Sequence, residues 1–113
     1  MSFQHKKLAT GGWNKLSLSE QMANIGSDVI RAIKWKNKGN KDYSQAAFYR
    51  SLELLSLSKS DPKHRYEASL KEICRLYECL VDYFAGSNIY GSSDKLWEKY
   101  FLAFNWAVRK NRV

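Results

Sequence analysis

Apolar residues recur along this chain at helical spacing in four separate runs, with turn-forming residues between them. In the first run, Leu18, Met22, Ile25, Val29, Ala32 and Lys36 follow at intervals of 4, 3, 4, 3 and 4 residues, one stripe of an α-helix tipped by a lysine. Ser17-Leu18-Ser19-Glu20 opens it as a capping box, the serine oxygen taking an orphan N–H of the first turn while the glutamate reaches back. Gly39-Asn40 closes it with residues that tolerate left-handed backbone. Asp42 with Gln45 repeats the capping signature, and a second helix over residues 43–57 sets Phe48, Leu52 and Leu55 on one face.

Asp61-Pro62 predicts a third start, with the aspartate as cap and the single proline at the first helical position, where its missing N–H costs nothing. Tyr66, Leu70, Ile73, Tyr77, Leu80 and Phe84 keep the same rhythm, and Gly86 marks a stop. The turn-rich stretch GSNIYGSS over residues 86–93 follows, and Ser92 or Ser93 caps a fourth helix carrying Trp97, Phe101, Phe104 and Val108. Four amphipathic helices with short connections predict an all-α fold, an antiparallel up-and-down four-helix bundle over residues 17–113. Residues 1–16, with Gly11-Gly12, Lys6, Lys7 and Lys15, are expected to form a flexible basic arm that docks only through Trp13.

Composition agrees with helices. The 113 residues are 44% hydrophobic and 14% aromatic with one proline and six glycines, too apolar for a disordered chain and too poor in turn residues for a many-stranded sandwich. Cys74 and Cys79 lie five apart on one helix, so their side chains leave the axis in different directions and cannot bridge each other. Reduced thiols and a cytoplasmic protein are expected. The first residues hold no apolar run of signal-peptide length, and no segment approaches the roughly 20 apolar residues of a transmembrane helix, so a soluble protein without a membrane partner is expected.

Nineteen Lys and Arg against eleven Asp and Glu give a net charge of +8, which bears on partners rather than on fold. Five basic residues and no acid fall between Asp28 and Asp42: Arg31, Lys34, Lys36, Lys38 and Lys41. Arg31, Lys34 and Lys38 share the face opposite the core stripe. Such a ridge near a helix C-terminus complements the helix dipole, but it exceeds that small need and suits phosphate contact. Antiparallel topology is expected to place Lys59, Lys63 and Arg65 near Arg109, Lys110 and Arg112, a second cationic group at the opposite pole. In a ring of such bundles each pole would become a cationic rim, suited to a phosphate backbone and blind to base sequence.

The fourth helix has more apolar surface than one core stripe requires, since Leu102 and Trp106 project opposite Trp97 and Phe101. On the second helix, Leu54 and Leu57 fall outside the predicted stripe. These four residues are the candidate interface for self-association or for a protein partner; an irregular bundle that covers them is the plainer alternative.

Catalytic constellations are absent. His5 and His64 lack the paired spacing of a metal site, and no glycine-rich phosphate loop or nucleophile elbow is present. His64-Arg65 reverses the order of the Arg and His pair of some helical ribonucleases and reads as a solvated basic patch. Cys79, one turn after Arg75, reads as an inert thiol. No catalytic residue, metal or cofactor is expected.

The stretches NIGSDVIRAIKWKNKGN (residues 24–40) and YGSSDKLWEKYF (residues 90–101), within a basic four-helix chain of this length, resemble small bacterial bundle proteins. That group includes the accessory variability determinant of diversity-generating retroelements and the protein encoded in intervening sequences of 23S ribosomal RNA genes. The resemblance is architectural, covers residues 17–112 and carries no diagnostic motif. It implies a homopentameric barrel that binds nucleic acid and a reverse transcriptase and supports mutagenic reverse transcription of a template RNA. The long loop at residues 86–93 and the aromatic fourth helix depart from that pattern. The leading expectation is thus a non-catalytic, self-associating accessory protein that holds RNA or DNA by its phosphates beside a reverse transcriptase. An adaptor or antitoxin-like bundle without nucleic-acid binding is the main rival, and a divergent helical nuclease the third.

Overall fold

The computed structural model describes residues 12–65 and 68–110. Four α-helices make up the body: α1 (Leu18–Asn37), α2 (Lys41–Lys59), α3 (Ala68–Ala85) and α4 (Asp94–Lys110), with short 3₁₀ turns at Trp13–Lys15 and Pro62–His64. No strand occurs among the described residues. The capping box at Ser17 is complete, with Glu20 N–H donating to the Ser17 hydroxyl at 3.2 Å and Ser17 N–H to the Glu20 carboxylate at 3.1 Å. Gly39 closes α1 at φ 83°, a conformation that favours glycine.

Each helix runs antiparallel to its neighbours in the up-and-down arrangement. The Ser44 hydroxyl donates to the Ala32 carbonyl (2.7 Å) and the Ser58 hydroxyl to Gln21 Oε1 (3.0 Å), so α2 retraces α1. Asp94, opening α4, takes hydrogen bonds from Lys36 and Asn37 at the end of α1. The rings of Phe48 and Phe84 stack at 5.0 Å across α2 and α3, and the Tyr100 hydroxyl donates to Glu72 (2.8 Å) across α4 and α3. The core gathers Met22, Ile25, Val29, Ile33, Leu55, Ile73, Leu80, Trp97 and Phe101, and each such large side chain removed from water stabilises the fold by roughly 1.5–3 kcal/mol.

Two close approaches set the packing. A Cβ placed on Gly26 would lie 2.7 Å from Cγ and Cδ1 of Phe101 and 2.8 Å from its Cβ, so α4 sits directly on the α1 backbone. Along α2, Ser44, Ser51 and Ser58 recur every seven residues on the buried seam, where their small size lets α1 approach and their hydroxyls return to carbonyl or side-chain partners.

Several expectations from the pattern are corrected here. The α-helical part of α3 begins at Ala68, and Pro62 starts only a 3₁₀ turn; Asp61 does cap that turn, accepting from Lys63 N–H at 3.0 Å. Asn40 rather than Asp42 caps α2, its side chain accepting from Tyr43 N–H at 3.0 Å. The buried face of α2 passes through Ala47, Phe48, Leu54 and Leu55, with Leu52 only half-buried. Trp13 docks as expected, at 1% exposure in the core, and with it the packed unit includes residues upstream of 17. Ser93 is the serine that caps α4, accepting from Leu96 N–H at 3.2 Å. The loop between α3 and α4 is folded back by Asp82, whose carboxylate accepts from Ile89 N–H (2.9 Å) and Tyr90 N–H (3.1 Å).

Candidate nucleic-acid interface

The outward face of α1 is set by its core stripe: with Val29 and Met22 buried, residues three and four apart on the other side point to solvent. Arg31, Lys34 and Lys38 stand there, all exposed. Arg31 is half neutralised, since its guanidinium lies 2.9 Å from the Asp28 carboxylate, which also faces Arg50 at 3.8 Å. Lys34 has no ion pair among the described residues, and Lys38 rests its ammonium 5.2 Å from the Trp35 ring centre. Lys41 continues the group across the α1–α2 turn, where it shares a shallow surface cleft with Lys38, Gly39, Asn40 and Asp42.

Lys36 leaves this run of five bases. Its ammonium turns to the bundle and bonds Asp94 (2.9 Å) and the Tyr83 hydroxyl (3.1 Å). Burial, which opposes its charge, is outweighed by these bonds, so its pKa lies above the ordinary lysine value. On Asp94 burial is likewise outweighed, by bonds from Tyr83, Lys36 and Asn37, and its carboxyl lies below the ordinary value. Burial and the neighbouring carboxylate hold the Tyr83 phenol in its neutral form.

At the opposite end the expected cationic group comes together only in part. Arg109 lines a cleft with Leu16, Glu20 and Asn24, and the Lys63 ammonium donates to the carbonyls of Leu16 (2.8 Å) and Asn14 (2.9 Å), so the two flank Leu16. Lys63 is not displayed for phosphate: it also pairs with Asp61 and pins the chain ahead of α1. Lys110 and Arg65 are exposed; Arg112 lies outside the described residues. His64 is not a solvated basic patch. It is 1% exposed and sits in a polar cluster centred on Gln21. The Gln21 amide donates to Asp61 (2.8 Å) and to the Trp13 carbonyl (3.1 Å), while its oxygen receives Ser58 Oγ–H (3.0 Å) and His64 Nε2 (2.9 Å). Because an amide oxygen only accepts, His64 Nε2 carries the proton, and Nδ1 lies 3.2 Å from the Ser69 hydroxyl. Trp13 Nε1–H completes the cluster by donating to Ser58 Oγ (2.9 Å). Its work is to tie four segments together.

Leu102 and Trp106 are 64% and 67% exposed on α4, as the pattern expected. Leu54 is corrected: at 2% exposure it is a core residue, and Leu57 is half-buried against the core, so α2 offers no matching apolar face. Two further cations join Leu102 and Trp106. Lys95, Lys99, Leu102, Trp106 and Lys110 follow at intervals of 4, 3, 4 and 4, one outward stripe, and none of its lysines has an ion pair among the described residues. Reading bases by their runs in sequence missed Lys95 and Lys99; helical spacing from Trp106 finds them. Across the bundle, α3 carries Lys71 and Arg75 against Glu72, Glu78 and Asp82, whereas α1 and α4 together carry seven bases against Glu20, Asp28, Asp94 and Glu98, so relative to α3 the cationic excess lies on the α1–α4 side.

No group of three His, Cys, Asp or Glu side chains is gathered for a metal among the described residues, and no described helix is long and apolar enough to cross a membrane. Family models, curated proteins and solved structures give no match to this chain.

Proposed function

We propose that this protein is a non-catalytic nucleic-acid-binding accessory bundle that holds RNA or DNA through phosphates, without base-sequence preference. The observation that carries the reading is the asymmetry of charge: α1 and α4 carry seven bases against the four acids Glu20, Asp28, Asp94 and Glu98, with Lys34, Lys95, Lys99, Arg109 and Lys110 exposed on them and Lys38 exposed just after α1, while on α3 acids outnumber bases. Packed helices fix the backbone positions from which these flexible side chains extend, so phosphates meet an array of cations on a rigid support rather than a mobile tail. The accessory role beside a reverse transcriptase that the resemblance implies is part of the proposal, and this cationic side is the feature of the chain that supports it.

Fluorescence polarisation with labelled oligonucleotides over a salt series tests the reading. With about five phosphate contacts, affinity falls roughly 100-fold for a single strand and roughly 500-fold for a duplex between about 50 and 200 mM salt. Lys34→Glu with Lys38→Glu, and separately Lys99→Glu with Lys110→Glu, each weaken binding. Failure to bind any oligonucleotide at low salt removes the proposal. The adaptor reading draws on Leu102 and Trp106 and gains ground if those charge reversals leave capture of a protein partner intact.

A further inference from the structure

We infer that the outward face of α4 is a stacking platform for an unpaired polynucleotide strand, with Trp106 receiving a base and Lys99, Arg109 and Lys110 holding the phosphates on either side. The inference rests on the nucleic-acid reading above and narrows its substrate to single strands.

Trp106 stands apart from the other three tryptophans. Trp13 and Trp97 are 1% and 6% exposed core residues, and Trp35 is half-buried with its ring edge-on to Tyr43 at 4.8 Å. Trp106 makes no ring contact with a neighbour among the described residues and shows two thirds of its surface to water, which leaves an indole free to take a base. Base stacking on such a ring tolerates any sequence, because every base has a π-face.

Its surroundings select the occupant by charge. Lys99 lies two turns before Trp106 and Lys110 one turn after it on the same face, with Arg109 alongside; from Lys99 to Lys110 the helix spans about 16 Å, the reach of a few nucleotides. A duplex keeps its bases stacked on each other and offers this indole only its backbone, whereas a single strand supplies bases and phosphates together. A second copy of the chain is a poor occupant: a two-fold contact through this face would set Lys99 and Lys110 of one copy against the same lysines of the other.

The test compares wild type, Trp106→Ala and Trp106→Phe on labelled oligo(dT), on a duplex of the same length, and on vesicles of anionic lipid, all at one low salt concentration. The exposure of Trp106 makes both variants compatible with the fold, and circular dichroism checks it. Trp106→Ala is expected to weaken oligo(dT) binding about 5- to 100-fold, to leave duplex binding within a factor of two, and Trp106→Phe to restore most of the loss. Oligo(dT) is also expected to quench the fluorescence of wild type and not of Trp106→Phe. Equal loss on both oligonucleotides, or no loss on either, overturns the platform while leaving the phosphate-binding reading in place. Binding to neither oligonucleotide removes both. Trp106-dependent binding to vesicles alone, or a concentration-dependent dimer abolished by Trp106→Ala, overturns the platform in favour of a lipid surface or a second copy.

Discussion

Replacing Gly26 with alanine probes the tightness of the seam between α1 and α4. Alanine is the better helix former, and in an open helix interior the change would stabilise by about 1 kcal/mol. Here the added methyl would meet three atoms of Phe101 between 2.7 and 2.8 Å away. One of them is the Phe101 Cβ, which no side-chain rotation moves, so the collision is relieved only by parting the two helix backbones. Overpacking of this kind costs about 1–3 kcal/mol, and because Phe101 cannot swing clear the upper part of that range applies. The net expectation is a loss of about 2 kcal/mol, equivalent to a fall in Tm of roughly 10 °C for a domain of this size. Thermal melts followed by circular dichroism, with urea denaturation at 25 °C, measure it. A Gly26→Ala protein as stable as wild type, or more so, refutes the reasoning, because the intrinsic preference for alanine would then be acting without opposition.

The buried cluster and the charged clasp make two further predictions. Gln21→Ala takes its oxygen acceptor from the Ser58 hydroxyl and from His64 Nε2–H, while Asp61 keeps Lys63, and with about 1–3 kcal/mol for each buried donor that loses its partner the loss measured by urea denaturation is expected near 2–4 kcal/mol; a change too small to resolve would show that water takes over the amide's place. Asp94 lies below its ordinary value of 3.8 in the folded chain, so the stability it lends is present above that value and disappears as pH falls through the folded one. Asp94→Asn is therefore expected to be less stable than wild type at neutral pH and to close the gap below about pH 4, a convergence that stability measurements from pH 7 to 3 detect and that parallel curves would contradict.

What the sequence made legible was local. The Ser17 box, the Asp61 cap, the Gly39 stop and the stripes of α1 and α4 depend on residues a turn or two apart, and the structure places them as the pattern reads. The misreadings have long-range causes. Gln21 draws no reading at all from the pattern, because its partners Ser58, Asp61 and His64 lie 37, 40 and 43 positions away. Lys36 falls at the tip of the core stripe by spacing, but the carboxylate that receives its charge there, Asp94, arrives only 58 positions later. On α2 the seam runs through serines, which carry no hydropathy signal, so the pattern shifted toward Leu52 and left Leu54 on the wrong side. Of the proposed interface, Arg31, Lys34, Lys38, Leu102 and Trp106 could be placed on outward faces from spacing alone, whereas the engagement of Lys63 by the Leu16 and Asn14 carbonyls depended on how the 3₁₀ turns dock.

The seat of Trp13 also gives the body a fixed handle at one end. With the indole held by Ser58 and the backbone carbonyls of Asn14 and Leu16 gripped by Lys63, a label placed at position 12 sits on a fixed anchorage at the Arg109 end. Immobilising the protein through that point on a sensor surface orients every molecule alike, with Lys34, Lys38 and Lys41 presented outward to whatever flows past.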